Sequence, residues 1–318
     1  MFEHILVPLD GSSLAECVLP HVVAFASALQ SDVTLLRVLA RGKGAQGVPI
    51  VDPVDWHIAE AQSASYLEEV ARRLGASGVE TNRVALDGAA AERVIEYADQ
   101  QDVDLIVLSS HGRSGLSGWN VSSIVQKIIL RAYQSVLIVR AYVPTEREAG
   151  SVRYQRLLVP LDGSQRAECV MPIAVALARG HDAELLLAHV VRRPEMPRRT
   201  SPTEEDIHLA DRLVERNREE VSAYLQDLIA QLRLDADFHL LVSDDVVVAL
   251  HELVESQHVD LVILSAHGYS GYPRWPYGSV ATSFIGYGST PLLIVQDLAR
   301  EDVEPSQAEL AVKERKGH

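Results

Sequence analysis

The sequence has little of several features that mark particular protein classes. Only 5% of its 318 residues are aromatic and it contains two cysteines, which excludes a disulfide-stapled fold. Its formal net charge of −15 argues against the basic, aromatic-rich surfaces of nucleic-acid-binding proteins. The longest apolar run, residues 173–178, is far shorter than the ~20 residues that span a bilayer. We therefore expect a cytoplasmic protein that binds neither nucleic acid nor membranes.

Catalytic signatures are scarce as well. The chain has no Gly-x4-Gly-Lys-Ser/Thr phosphate loop and no Gly-x-Ser-x-Gly nucleophile elbow. No residue pattern indicates an activated nucleophile with an orienting acid, and none has the spacing of metal ligands. The sequence therefore predicts no catalytic residues and no metal site.

The chain contains an internal duplication. Residues 5–12 read ILVPLDGS and residues 157–164 read LLVPLDGS, while residues 104–112 (DLIVLSSHG) recur as residues 260–268 (DLVILSAHG). Cys17 and Cys169 occupy one repeated position, so we interpret both as small core residues rather than a redox pair. A repeat this long indicates two whole domains. We place them at residues 1–142 and 153–298, followed by a polar tail at 299–318.

Each copy alternates strand-like and helix-like segments. In the first copy, apolar runs predict strands at 5–9, 33–39, 79–86, 105–109 and 136–139, and helical spacing predicts helices at 14–29, 59–74, 90–100 and 123–132. Pro20 and Pro172 are expected to kink the first helix of each copy. This alternation predicts an α/β fold with two tandem Rossmann-like domains, each a five-stranded parallel sheet in the order 3-2-1-4-5 flanked by helices.

Polar residues follow the first and fourth strands of each copy. In the expected order these strands are neighbours, so their ends meet at the crevice where open parallel sheets bind ligands. A Gly/Ser-rich segment, residues 112–118, then leads to a helix that opens at Ser122 and Ser123, and the second copy has Gly278 and Ser279 there. Small residues before a helix N-terminus can cradle a phosphate. We expect Ser123 and Ser279 to cap these helices and to donate to the phosphate.

At these residues the chain resembles the universal stress protein family in its tandem two-domain form. The opening ILVPLDGS and the segment SSHGRSG at residues 109–115 are typical of the family, and the resemblance covers residues 2–141 and 154–296. It implies an adenine nucleotide alpha hydrolase-like fold and a stress-response protein that binds ATP or AMP, with or without Mg²⁺. It also implies that the copies pack through their last strands, 136–139 and 292–295, and that whole chains form homodimers.

The chain departs from the pattern of the family's ATP-binding members, which is Gly-x-x-Gly, nine residues, and then Gly-Ser or Gly-Thr. Serine replaces the first glycine in both copies, at Ser109 and Ser265, and also replaces the third in the first copy, at Ser122. The second copy keeps the third glycine, Gly278. Because an added Cβ stands where backbone must approach phosphate, nucleotide binding is favoured in the second copy and left open in the first.

The resemblance assigns a role to individual residues. Asp10 and Asp162 would meet the adenine ring, with the backbone of Val38 and Val190 beside it. In the first copy, Arg113 is a candidate additional cation for the nucleotide. Tyr269 stands at the corresponding position of the second copy and removes that charge, and Arg274 is a candidate to replace it. The implied nucleotide-binding residues are Pro8, Leu9, Asp10, Val38, Ser109, Gly112, Arg113, Ser122 and Ser123 in the first copy, and Pro160, Leu161, Asp162, Val190, Ser265, Gly268, Gly278, Ser279 and Val280 in the second.

Structural interpretations stand beside these roles. Asp10 and Asp162 could instead form Asx turns or cap the following helix. His111 and His267 are expected to order their loop through hydrogen bonds rather than to act as bases. A further set of arginines is expected in a solvated loop, with a nucleotide lid or a partner-docking segment as the alternative: Arg192, Arg193, Arg198 and Arg199.

Three functions are consistent with this pattern. The first is a regulatory or signalling protein of the stress response that binds an adenine nucleotide without turning it over. The second is a nucleotide-free scaffold that dimerises and docks an unidentified protein partner. The third is a weak ATPase, which requires a catalytic base that the sequence does not identify.

Overall fold

The computed structural model of the chain describes residues 2–40, 53–112, 121–141, 152–194, 201, 203–269 and 277–298. In these ranges the first half runs through β1 (His4–Pro8), α1 (Ser13–Glu16), α2 (Leu19–Leu29), β2 (Asp32–Leu39), α3 (Pro53–Ala76), β3 (Thr81–Asp87), α4 (Ala90–Gln100), β4 (Leu105–Ser109), α5 (Ser123–Arg131) and β5 (Ser135–Val139). The second half repeats the order as β6 (Arg156–Pro160), α6 (Gln165–Glu168), α7 (Met171–His181), β7 (Glu184–Val191), α8 (Glu204–Leu232), β8 (Ala236–Val242), α9 (Val246–Ser256), β9 (Leu261–Ser265), α10 (Ser279–Tyr287) and β10 (Leu292–Val295).

The strands form one ten-stranded sheet in the order β3-β2-β1-β4-β5-β10-β9-β6-β7-β8. Within each half the neighbouring strands are parallel, with Ile5 beside Leu105 and Leu157 beside Leu261. The halves join where β5 and β10 pair antiparallel, with Leu137 opposite Leu293. The predicted fold class, the 3-2-1-4-5 order and the contact between the last strands are all confirmed.

The central strands are apolar on both faces because helices cover both faces of the sheet. Ile5 and Val7 lie in the core under α1–α3 and α6–α8, whereas Leu6 lies in the core under α4, α5, α9 and α10. All three side chains are fully buried. A strand that is buried on both faces reads as a continuous apolar run, which is why the sequence pattern located these strands.

Pro20 begins a helix rather than kinking one. The segment expected as one helix over residues 14–29 contains two, α1 and α2, and Pro20 lies in the first turn of α2. Pro172 has the same position in α7. The expected kinks are therefore wrong, because a residue in the first turn has no intrahelical partner for its N–H and proline loses nothing there.

The two longest helices, α3 and α8, cover the outer strands and keep a charged outer surface. Arg72 and Glu69 pair across one turn of α3, and Arg216 pairs with Glu220 on α8. Among the helices in the described ranges, none is long and apolar enough to cross a membrane.

Candidate functional site

The ends of β6 and β9 meet through Asp162 and Gly268. A Cβ atom at Gly268 would collide with Oδ2 of Asp162, and the backbone N–H of Tyr269 donates to the same oxygen at 2.5 Å. In the first half, a Cβ at Gly112 would collide with Oδ2 of Asp10. The close approach of a carboxylate therefore requires glycine after β4 and after β9. The predicted meeting of the first and fourth strand ends is confirmed.

Each of these aspartates also holds the turn that follows its own strand. Oδ1 of Asp10 accepts from the N–H and the hydroxyl of Ser12, at 2.9 and 2.6 Å. Asp162 accepts in the same way from Ser164, at 3.0 and 2.6 Å. The predicted Asx turn is therefore present in each half, and it uses one oxygen of each carboxylate. The other oxygen faces the loop after the fourth strand, so one side chain ties the two strand ends together.

Ser109 and Ser265, which replace the first glycine of the family's pattern, bind the backbone of their own loops. Oγ of Ser265 donates to the carbonyl of His267 at 2.6 Å. Oγ of Ser109 lies 2.6 Å from the carbonyl of His111 and 2.7 Å from that of Leu14. Each serine hydroxyl therefore braces the turn at the end of its strand.

The helices that follow these loops begin differently in the two halves. The N-cap of α5 is Ser122, whose Oγ accepts from the N–H of Val125 at 3.4 Å. The N-cap of α10 is Gly278, which provides no side-chain cap. The expectation that Ser123 and Ser279 cap these helices is wrong, because both are the first helical residue. At its N-cap, α10 therefore lacks the hydroxyl that binds a backbone N–H in the first turn of α5.

A cavity of about 600 Å³ lies beside the N-terminus of α10. This volume is within the range of small-molecule sites, about 300–1,000 Å³. The cavity is lined by all nine residues that the resemblance implies for nucleotide binding in the second copy, namely Pro160, Leu161, Asp162, Val190, Ser265, Gly268, Gly278, Ser279 and Val280. The structure thus brings together residues that are up to 120 positions apart in the sequence.

Charged groups that sequence reasoning did not assign to the site also line the cavity. They are two carboxylates after β8, Asp244 and Asp245. Arg192, which the sequence placed in a solvated loop with a nucleotide lid or a partner-docking segment as the alternative, lines the cavity as well. Oδ1 of Asp245 accepts from two N–H groups at the start of α9, at 2.9 and 3.1 Å. The repeat-related residue, Ala89, offers no side-chain cap. In the sequence, the difference between the two copies at these positions is the feature that could have pointed to these residues.

Burial shifts the pKa values of His189, which lines the cavity, and of the two cysteines. Burial lowers the pKa of His189, and the Leu161 backbone and the Asp162 charge offset this only in part. Burial raises the pKa of the Cys169 thiol to about 12 and also raises that of Cys17. Both thiols are free and pack against the core, as expected of core residues rather than of a redox pair.

His267, which lines the cavity, has a buried carboxylate partner that sequence reasoning missed. Its Nδ1 lies 2.8 Å from Oδ1 of Asp297, and the two side chains are 3% and 1% exposed. In the first half, Nδ1 of His111 lies 3.1 Å from Oγ of Ser110. Both histidines order their loop, as expected. Ala141 occupies the position of Asp297 in the first copy, and this difference was the only hint in the sequence.

The remaining predicted residues fall at equivalent places in the first half or outside the described ranges. Arg113, Arg198, Arg199 and Arg274 belong to the latter. Pro8, Leu9, Asp10, Val38, Ser109, Gly112, Ser122 and Ser123 lie at or beside the corresponding strand and helix ends. In the described part of the chain, no three His, Cys, Asp or Glu side chains are grouped to hold a metal ion.

Comparison with known proteins agrees with this architecture. The model of the universal stress protein family matches residues 1–140 and 153–296. A universal stress protein of Methanocaldococcus jannaschii is 24% identical over 155 residues, covering 44% of this chain and 96% of the relative. One of Bacillus subtilis is 27% identical over 149 residues, covering 44% of this chain and all of the relative.

A solved structure shows the same two-domain arrangement. The crystal structure of a universal stress protein from Archaeoglobus fulgidus superposes with a TM-score of 0.65 at 17% identity, covering 93% of this chain and 98% of that chain. At this identity the likeness concerns the fold alone. The family match spans both halves, and the chain therefore belongs to the universal stress protein family.

Proposed function

We propose that the chain binds an adenine nucleotide, ATP or AMP, in the crevice of its second half, and that the nucleotide acts as a regulatory or signalling ligand of the stress response. One observation carries this proposal. The first turn of α10 has no side-chain cap and opens on a cavity of about 600 Å³. The N–H groups of an uncapped helix start suit an anion, and the helix dipole favours its charge.

The phosphates would lie against Gly278, Ser279 and Val280, where the hydroxyl of Ser279 adds a donor to those of the backbone. These residues line the cavity at the start of α10. Mg²⁺ would enter with ATP rather than bind alone, because Mg²⁺ is usually held by substrate phosphates and few protein ligands.

The adenine ring would lie at the other end, beside Asp162 and the backbone of Val190. Leu161 and Ala188 supply apolar surface there. A carboxylate can accept from the exocyclic amine of adenine, which supports the role that the family resemblance gives to Asp162.

The first half supports a different proposal, that of a structural partner that holds no nucleotide. Ser122 Oγ accepts from the first turn of α5 and would compete with a phosphate for that N–H. A chain in which neither half binds nucleotide would be the dimerising scaffold. Homodimer formation, a protein partner, a cytoplasmic location and the domain limits 1–142 and 153–298 remain part of this proposal.

The direct test is a count of bound nucleotide. The freshly purified protein is denatured and the released adenine nucleotides are measured per chain by chromatography. One nucleotide per chain is expected. Two would assign the first half a site as well, and none, with no binding of added ATP, would refute the nucleotide proposal in favour of the scaffold.

The N-cap difference gives a sharper test. Gly278→Ser should weaken ATP binding about tenfold or more, because the new hydroxyl would occupy the first turn of α10 as Ser122 does in α5. A Cβ at Gly278 would lie 3.5 Å from the carbonyl oxygen of Ala266, an ordinary contact, so the fold should tolerate serine. Calorimetric titration with ATP measures the effect.

The matched control is Ser122→Gly in the first half. It should leave the affinity of the second half unchanged, and a gain of a second ATP would show that the serine cap alone closed the first site. Gly278→Ser with the affinity of the unmodified protein would contradict the placement of phosphate at α10.

A further inference from the structure

A buried arginine of the first half reaches the helix at the second-half crevice. Arg140 directly follows β5 and is 1% exposed. Its guanidinium donates to the carbonyls of Phe284 and Ile285, at 2.7 and 3.3 Å. These carbonyls lie near the C-terminal end of α10. One helix therefore has its N-terminus at the cavity and its C-terminal end on a cation from the other half of the chain.

Gly288 leaves room for this contact. A Cβ there would lie 2.7 Å from the carbonyl oxygen of Phe284 and 3.3 Å from a guanidinium nitrogen of Arg140. The repeat-related residue is Ala132, whose φ and ψ of −79° and 137° are close to the −65° and 142° of Gly288. The backbone conformation thus accepts alanine, whereas the space beside Gly288 is narrowed by the Phe284 carbonyl and by the guanidinium of Arg140.

The contact acts on the whole helix because the helix is short. Nine residues of α-helix are about 13 Å long, so holding one end also fixes the direction of the other. The carbonyls at a helix C-terminus carry partial negative charge, which a nearby cation stabilises. Phe284 also stacks on the ring of His251 in α9, with centroids 4.2 Å apart. The C-terminal end of α10 is therefore held by contacts with both Arg140 and α9.

The two copies of the repeat differ at the position of Arg140. The residue related to Arg140 by the repeat is Gln296, after β10. A neutral amide cannot place a positive charge at the C-terminus of α5. The helix that has the uncapped N-terminus, α10, is therefore the helix whose opposite end is held by a guanidinium.

We infer that Arg140 is a positioning residue for the anion-binding end of α10, so that the second-half crevice depends on a side chain of the first half. This inference rests on the proposed nucleotide site. Arg140 acts through the helix and contacts no part of the nucleotide. Its loss should affect the interaction with phosphates and leave the interaction with the nucleoside unchanged.

The test compares ATP with adenosine on the full chain. Arg140→Gln, which copies the residue at position 296, should bind ATP about tenfold more weakly and adenosine within twofold of the unmodified protein. Arg140→Lys should fall between, because an ammonium lacks the fork that reaches two carbonyls. Calorimetric titration at one salt concentration measures both affinities.

A stability control separates positioning from general damage. Phe25→Leu, in the core on α2, should lower stability without changing the ratio of ATP to adenosine affinity. An Arg140→Gln protein with an unchanged ratio, or with equal losses for both ligands, would overturn the inference.

The experiment also distinguishes failure of the inference about Arg140 from failure of the proposed nucleotide site. If the glutamine variant does not fold, Arg140→Lys decides: a threefold or greater loss for ATP alone supports the inference, and an unchanged ratio overturns it. An unmodified protein that binds neither ligand refutes the proposed site itself.

Discussion

His181 shows how one buried residue makes the stability of this protein depend on pH. It ends α7, and its ring packs edge-on against Tyr154 with centroids 5.0 Å apart. Burial lowers its pKa, and burial also lowers the pKa values of His189 and His251. In an unfolded chain, histidine titrates near pH 6.5. Below that pH the unfolded state takes up protons more readily than the native state, so stability falls.

We predict that the free energy of unfolding is constant from pH 8 to about pH 7 and falls as the pH drops below about 6.5. His181→Phe should make this fall shallower by up to about 1.4 kcal/mol per pH unit, since it removes one titrating group and keeps a ring against Tyr154. Urea unfolding at pH 7, 6 and 5 measures the slope.

The matched control is His57→Gln, because the side chain of His57 is 79% exposed on α3. It should leave the slope unchanged. Equal slopes for the His181 variant and the unmodified protein would contradict this assignment.

Among the elements that the structure describes, α2 of the first half packs against α7 of the second. A Cβ at Gly180 would lie 2.6 Å from Cβ of Ala28 and 3.1 Å from its Cα. Both atoms belong to a packed helix that cannot move away independently. The two helices therefore approach each other by a distance that only glycine permits at this position.

We predict that Gly180→Ala lowers the free energy of unfolding by about 1–3 kcal/mol through overpacking. Gly75→Ala on α3, where a Cβ meets nothing within 4 Å, should instead raise it by about 0.5–1 kcal/mol through helix propensity. Urea denaturation of both proteins gives the comparison. Similar stabilities for the two variants would show that the helices can separate at little cost.

The sequence located most elements because their patterns are local. The strand at residues 105–109 and the helix at residues 90–100 were predicted with the observed bounds, since a continuous apolar run and a 3.6-residue period suffice for each. The break between α1 and α2 was missed, because proline inside an apolar helical pattern is compatible with a kink and with a new start. Only the course of the backbone distinguishes these two cases.

The candidate site was predictable where it follows the repeated motifs and not elsewhere. Asp162, Gly268 and Gly278 follow from the strand ends and the glycine spacing. Asp297 and Arg140 act through contacts with residues that are 30 and 144 positions away, and no local pattern encodes such pairs. Their one signal is that the two copies differ at these positions.

At the scale of the whole molecule, the two halves share their cores. One core holds Val7 and Phe25 of the first half with Val159 and Leu177 of the second, and the core on the opposite face is also continuous across the seam. Neither half can therefore bury its apolar surface at the seam without the other. Removing one half would expose the β5 or β10 edge, which is apolar and prone to pair with other strands.

We predict a single cooperative unfolding transition for the full chain, although its 318 residues exceed the size at which two-state behaviour is usual. Scanning calorimetry should give a ratio of calorimetric to van't Hoff enthalpy near one. Two resolved transitions would mean that the halves unfold independently and that the shared cores contribute little.

The antiparallel pairing of β5 with β10 has a consequence for what each half can become. Two identical chains joined at this seam would have to carry the same residue on both sides of the axis. Fusion into one polypeptide removes that constraint, so arginine and glutamine, or serine and glycine, can occupy positions that an exact dimer would make equal. The chain is in this respect equivalent to a heterodimer of two related domains, in which the residues around one crevice can differ from those around the other.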